Sequence, residues 1–332
     1  MSERLLDIIV PRYREPWKIV KPFFDMLNSQ QGVDFSRFRV ILVNDGSDPL
    51  DFFGKIDVQE YRYEILNTWI PHKGVSAARN YGLEKADAKY VCFCDCDDCF
   101  SSIYALREVF YVMDHTDAYD LLWGPFYTNM LDIEDRLRIV SEFNGVWIHC
   151  KFYRLSFLRE KNLKFCEELY MSEDSAFNNV LMLEIGEGKI GEIHSAFPLY
   201  SWNRRVGSVT TDPEKILTNV RGHFFRNKYV LEEYRKRNAP NANVIVVRAV
   251  TDVYSMVTKY KKNKQIIEIE KMVAGFYREN EEEYNSVPAD LVAMALAASD
   301  REAGLGEKKP ERPTLDEWID EILKENETED IL

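Results

Sequence analysis

Along the first two hundred residues, the chain alternates between two spacings of apolar side chains. The runs LLDIIV (5–10), FRVILVN (38–44), YRYEILN (61–67) and KYVCFCD (89–95) are short and rich in branched and aromatic residues. Each leads to a turn or a polar cluster, which predicts strands. Between them, Trp17 to Gln30, Ser76 to Ala86 and Ser101 to Met113 repeat apolar residues at three and four, which predicts helices. Pro22 falls inside the first helical pattern and marks its start or a kink. Strand then helix, repeated, predicts an α/β fold with a mostly parallel sheet flanked by helices. Beyond about residue 212 the strand signal fades, and 213–236, 243–260, 264–283 and 288–299 read as helices. GLGEKKPERP (304–313) has the glycine, proline and charge content of a linker. In the segment TLDEWIDEILKENETEDIL (314–332), Leu315, Trp318, Ile319, Ile322 and Leu323 make one apolar stripe, with Thr314 and Glu317 spaced as a capping box. Such a stripe needs a surface on this chain or on a partner subunit, so the C-terminal helices are also a candidate homo-oligomer contact.

At 332 residues the chain has room for roughly two domains, taking ~150 residues each. Its 45 % hydrophobic and 30 % charged content is that of an ordinary globular protein. A formal net charge of −13 opposes general affinity for polyanions, so no nucleic-acid partner is expected. MSERLLDIIVP lacks the basic start and apolar stretch of a secretory leader, and no apolar run approaches the ~20 residues that span a bilayer. The expectation is a cytoplasmic protein without a transmembrane segment and with reduced cysteines.

Two metal chemistries compete for YVCFCDCDDCF (90–100), which holds Cys92, Cys94, Cys96 and Cys99 beside Asp95, Asp97 and Asp98. Structural thiolate sites place Cys-x2–4-Cys pairs on well-separated turns, and this spacing does not. Cys92 and Cys94 read as small buried residues inside a strand. The aspartates fall where the apolar run stops, at the carboxyl end of a parallel strand, the edge where open α/β sheets bind ligands. Carboxylates two apart suit Mg2+ or Mn2+, although a solvated acidic loop has the same composition.

The other strand ends carry matching groups. PRYRE (11–15) offers Pro11, Tyr13, whose ring can stack on a base, and Glu15. NDGSD (44–48) offers Asp45, which can accept from a base N–H or simply close an Asx turn, with Gly46 and Ser47. HKGVSAARN (72–80) offers Gly74 and Ser76 at a helix N-terminus, where anions bind, and Arg79 one turn in.

IIVPRYRE, VNDGSD, HKGVSAARNYGLEKA and the FCDCDD segment, in this order, resemble the nucleotide-sugar-binding half of family 2 glycosyltransferases of the GT-A fold. HCKFYRLSFLREKNLKFCEELYMSEDSAFN (149–178) resembles their acceptor half, and YSWNRRVGSVTT (200–211) their arginine-bearing donor loop. The resemblance implies a GT-A catalytic domain over 1–211, donor half 1–98 and acceptor half 99–211, then a helical region 212–303, the linker 304–313 and the acidic amphipathic helix 314–332. It implies inverting, metal-dependent transfer from a nucleoside-diphosphate sugar, a UDP sugar, to a hydroxyl of a glycan, polyol phosphate, lipid or protein. The residues implied are Asp174 as base with Glu173 orienting, Asp97 as metal ligand with Asp95 on ribose or metal, and Asp98 behind them. Tyr13 and Asp45 would hold the base, Arg79 would lie near the nucleotide, and Arg204 or Arg205 would clamp the diphosphate. Ser172 to Asp174 also fit a simple helix cap. No histidine is assigned to the metal. His194, in the strand-like IGEIHSAF, reads as structural, and His72, His115, His149 and His223 stand no closer to a role.

The sequence departs from the family at Arg14, where asparagine is frequent, and in the cysteines around the acidic motif. Three rival readings remain. A sugar nucleotidyltransferase would carry a glycine-rich loop after the first strand, which PRYREPW lacks. A silent nucleotide-sugar-binding scaffold would not need Asp174. A zinc or iron–sulfur protein would need the cysteines to converge.

Overall fold

The computed structural model describes residues 4–46, 60–131, 137–203, 216–305 and 311–327, and Ser47, Arg204 and Arg205 lie outside them. The chain forms two compact units, Met1–Arg205 and Val206–Leu332. In the first, β1 (Leu6–Arg12) leads through α1 (Trp17–Asn28) to β2 (Phe38–Asp45), followed by β3 (Glu64–Ile70), α2 (Val75–Lys85), β4 (Tyr90–Phe93), the two-residue β5 (Cys99–Phe100) and α3 (Ala105–His115). Then come β6 (Leu121–Trp123), β7 (Phe126–Leu131), β8 (Leu137–Val140), β9 (Lys151–Arg154), α4 (Leu155–Glu160), α5 (Glu173–Glu184), β10 (Ile190–Glu192) and β11 (Tyr200–Trp202).

Seven strands form the main sheet in the order β10-β6-β9-β4-β1-β2-β3. β1 to β4 run parallel, and β9 is antiparallel to both its neighbours. Every residue of β1, β2 and β4 is buried, as expected of parallel strands covered on both faces. The in-register row Ile8, Val40 and Cys92 puts one of the cysteines into the core. Asp7, inside the apolar run, is also buried. Its carboxylate takes a two-pronged ion pair from Arg39 at 2.9 and 3.0 Å and the N–H groups of Asp87 and Ala88. This pairing satisfies the charge at the amino end of the sheet, opposite the end that carries the candidate site.

α1 begins after Pro16 and continues through Pro22, burying Val20, Phe23, Phe24 and Leu27. β3 lies three residues later than the apolar run suggested. Tyr63 instead packs on Phe38 and donates its hydroxyl to Phe24 O at 3.0 Å. α2 sits so close to β1 that a Cβ on Gly82 would meet Ile9 Cγ2 at 2.4 Å, and both α2 faces are buried over Ser76 to Asn80. The four strands β5-β11-β7-β8 form a second sheet that the sequence pattern did not disclose. They are two to six residues long, and apart from the neighbours β7 and β8 their partners lie far apart in sequence, so no local period marks them.

The second unit consists of α6 (Ile216–Lys236), α7 (Ala242–Val257), α8 (Lys264–Glu279), α9 (Glu281–Asn285), α10 (Ala289–Glu302) and α11 (Leu315–Glu327). The helix expected over 264–283 divides at Asn280, whose amide donates to Phe276 O at 2.6 Å. α11 opens with the expected capping box, Thr314 N–H donating to Glu317 Oε2 at 2.8 Å and Glu317 N–H to Thr314 Oγ1 at 3.3 Å. Its stripe is buried within the unit's own core, and Trp318 Nε1 donates to Glu270 Oε1 at 2.9 Å. Of the linker segment, residues 306–310 lie outside the described residues, whereas Arg312 holds Asp300 through two contacts of 2.8 Å. Among the described residues, no helix is long and apolar enough to cross a membrane.

Candidate active site

The carboxyl ends of β1, β2, β3 and β4 lie side by side at one edge of the main sheet, because the strands are parallel and in register. At the first end, Pro11 is buried in β1 and Tyr13 is exposed, its N–H donating to Glu15 Oε2 at 2.7 Å. Arg14 takes a positive φ of 62° and places its guanidinium 4.9 Å from the Tyr13 ring centroid. Arg12 turns inward to Asn44 Oδ1 at 3.0 Å.

At the second end, Asp45 is buried and organises the turn after β3. Its Oδ1 accepts from Lys73 N–H at 2.7 Å, and its Oδ2 from Gly74 N–H at 2.9 Å and from His72 Nδ1 at 2.8 Å. Gly46 needs its left-handed φ of 68°, and a Cβ there would meet His72 Cβ at 2.4 Å. The imidazole of His72 stacks on Tyr13, ring centroids 4.0 Å apart and planes 14° from parallel.

At the third end, Gly74 caps α2 with a φ of 95°, and nothing lies within 4 Å of the place a Cβ would take. Ser76 is buried in the first turn, its Oγ without a hydrogen-bond partner. Arg79 is buried too. One arm donates to Asp95 Oδ1 at 3.0 Å and the other to Glu173 Oε1 at 2.6 Å, with Phe165 beneath the guanidinium at 5.2 Å. Burial opposes its charge, but Glu173, Asp95 and Asp174 together outweigh that and hold its pKa above the ordinary value. Asn80, next on α2, is tied to Phe165 and Glu167 by three bonds of 2.9 Å, fixing the approach to α5.

At the fourth end, Asp95 and Asp97 are half-buried while Asp98 turns inward. Asp98 accepts from Tyr200 Oη at 2.8 Å and from Asn203 N–H at 2.7 Å, anchoring the acidic turn to β11. Burial, then the neighbouring charge of Asp95, pushes its pKa well up. Cys92 and Cys94 lie side by side with Cys150 near them, but among the described residues no three cysteines come close enough to hold a metal ion. Cys92, Cys94 and Cys96 belong to the apolar core, and burial first of all raises the thiols of Cys92 and Cys96. A buried neutral thiol is not a metal ligand, whereas a half-buried carboxylate pair at a sheet edge is a hard-cation donor set. Asp95 and Asp97 are thus oxygen donors of the type a hard cation takes, and Asp95 is already engaged by Arg79.

Facing these ends is α5. Ser172 precedes it in a left-handed conformation, φ 58°, and makes no side-chain cap. Such strain in a non-glycine residue persists where the surroundings impose it. Asp174 Oδ1 accepts its neighbour's N–H, Ser175, at 2.7 Å. Burial and then the charge of Glu173 lift Asp174 to about 7, against the opposing pull of Arg79. Two features escaped the sequence reading. His72 had no assigned role, and its only signal was its place just after a strand. The two carboxylates that Arg79 bridges, Asp95 and Glu173, carry no local signal of that contact. His194 lies exposed beyond β10, and His149 is buried, stacked 4.6 Å from Trp202.

The strand order, the acidic turn at the end of β4 and the carboxylate pair opening α5 define an α/β fold of the GT-A type. Residues 7–179, a little over half of the chain, match the model of glycosyl transferase family 2, and the chain belongs to that family. It is 26 % identical over 194 residues to the minor teichoic acid biosynthesis protein GgaB of Bacillus subtilis, covering 53 % of this chain and 21 % of that protein. To the uncharacterised glycosyltransferase EpsJ of the same organism it is 28 % identical over 198 residues, covering 52 % and 55 %. The chain thus spans between a fifth and about half the length of these two relatives. Among solved structures, residues 1–349 of TarS from S. aureus, in complex with UDP, superpose with a TM-score of 0.63 at 16 % identity, over 98 % of this chain and 92 % of that one. The same TarS segment with UDP-GlcNAc gives 0.62 at 17 % identity. At such identities the likeness speaks for the fold.

Proposed function

We propose that this chain is an inverting glycosyltransferase that moves a sugar from a UDP sugar to an acceptor hydroxyl, with Asp174 as general base. The observation that carries the reading is the Arg79 bridge. It joins Asp95, at the donor edge, to Glu173, beside the base, through 3.0 and 2.6 Å contacts, so both halves of the reaction are held by one buried cation. A general base works best with a pKa near the working pH, and Asp174 at about 7 has it. The TarS complexes with UDP and UDP-GlcNAc support a uridine donor.

Tyr13 offers a stacking face, Asp45 an acceptor for a base N–H, and the open N-terminus of α2 at Gly74 and Ser76 an anion site. Asp97 and Asp95 would hold Mg2+ or Mn2+, which supplies charge neutralisation at the diphosphate when bound. Asp98 keeps the turn that presents them in place. Glu173, fixed by Arg79, keeps the start of α5 aimed at the donor edge, and Asp174 receives the proton of the acceptor hydroxyl. Ser47, Arg204 and Arg205 belong to the proposed donor site on the family likeness. A homo-oligomer through the second unit and a cytoplasmic location remain part of the same reading.

The test is a panel of nucleotide sugars with Mn2+, scored by slow release of nucleoside diphosphate, on native protein, Asp97→Ala and Asp174→Asn. Asp97→Ala is expected to lose metal-dependent donor binding. Asp174→Asn should bind donor and fail to transfer, and normal turnover in that variant rules Asp174 out as the base.

A further inference from the structure

His72 occupies a peculiar position for an exposed histidine at the end of an edge strand. Its side chain is 53 % exposed, yet both ends of its chemistry are engaged. The ring lies flat on Tyr13 at 4.0 Å, and Nδ1 is 2.8 Å from Asp45 Oδ2. An ionised carboxylate only accepts, so Nδ1 carries the proton and donates. A planar heterocycle with an N–H at its edge is thereby stacked on one residue and hydrogen-bonded to another. Those are the two contacts proposed above for the donor's base.

We infer that in the free protein His72 occupies the nucleobase slot, as an internal stand-in for a pyrimidine bearing a ring N–H, and that donor binding displaces it. This rests on the uridine-donor reading. On the Tyr13 face that His72 covers there is no room for both rings: the two stacked rings already touch at 4.0 Å, and a base inserted between them needs roughly twice that spacing. Asp45 is equally committed. Lys73 and Gly74 N–H groups take two of its roughly four acceptor sites and hold the carboxylate rigid, so the site facing His72 is the one a base edge must win. A base that wins this place must present an N–H to Asp45, as uracil does at N3 and cytosine at its exocyclic N4. His72 sets the affinity, because a binding-competent state populated a fraction f of the time weakens apparent affinity by that fraction.

The experiment is calorimetric titration of UDP and CDP, each with Mg2+, into native protein, His72→Ala and His72→Phe. With His72 seated about nine-tenths of the time, His72→Ala binds UDP roughly tenfold tighter than native. His72→Phe, which can stack but cannot donate to Asp45, falls between the two, for CDP as for UDP. Native protein that binds UDP more tightly than inorganic pyrophosphate, while His72→Ala binds UDP equally or more weakly, overturns this inference alone. Native protein that binds inorganic pyrophosphate as tightly as UDP, with no gain in His72→Ala, overturns both this and the uridine-donor reading.

Discussion

Replacing Arg79 by methionine removes a buried charge that faces Asp95, Glu173 and Asp174 together. The side chain is 4 % exposed and Glu173 13 %, so that arm of the bridge is a buried ion pair. Asp95 is 36 % exposed, and solvent screens its arm enough that little stability rests there. Removing one partner of a buried pair leaves an uncompensated charge and costs about 3–5 kcal/mol. In a unit of this size each kcal/mol moves the melting temperature by about 2–4 °C, so Arg79→Met should melt roughly 6–20 °C below native. A second readout separates the electrostatics from the packing. Arg79 opposes the upward push on Asp174 by burial and Glu173, so without it the proposed base titrates above about 7. The pH-rate profile for donor-sugar transfer, or for slow donor hydrolysis, then shifts to higher pH. Arg79→Lys keeps the charge and should restore most of the pH profile while recovering only part of the melting temperature. Arg79→Met melting within about 2 °C of native, with an unmoved pH midpoint, would refute the reasoning.

The base itself makes a signed prediction. Asp174 is raised in the folded protein, so its contribution to stability is full below the unfolded value of 3.8 and is lost as pH rises through about 7, whereas activity rises through that same midpoint. Asp174→Asn should thus be inactive yet about 1–3 kcal/mol more stable than native at pH 8, the gain vanishing near pH 4 in chemical denaturation. Among the cysteines, Cys99 and Cys166 are partly accessible and should react with a thiol reagent in native protein, while Cys92, Cys94, Cys96 and Cys150 wait for denaturant. Cobalt titration should give no thiolate charge-transfer band, and such a band would reinstate a sulfur site. Trp318→Ala empties a buried ring position and removes the N–H that Glu270 Oε1 accepts, so the second unit should lose about 3–5 kcal/mol in a denaturant melt.

The sequence by itself determined what local period and local chemistry can carry. β1, β2 and β4 were legible because strands buried on both faces read as unbroken apolar runs, and α11 because its stripe and the Thr314 and Glu317 box sit within one turn of each other. The placing of Asp45, Gly74 and Asp95 at neighbouring strand ends followed from parallel pairing alone. Only the tertiary structure decided what those groups touch. Arg79 meets Asp95 across 16 residues and Glu173 across 94, His72 reaches Tyr13 and Asp45 over the top of two strands, and Asp98 is drawn inward by Tyr200 from 102 residues away. The pairing of β11 with β5 and β7 was invisible for the same reason. Periodicity records which face of an element is buried, whereas a contact between distant segments depends on the whole path of the chain, to which no short window has access.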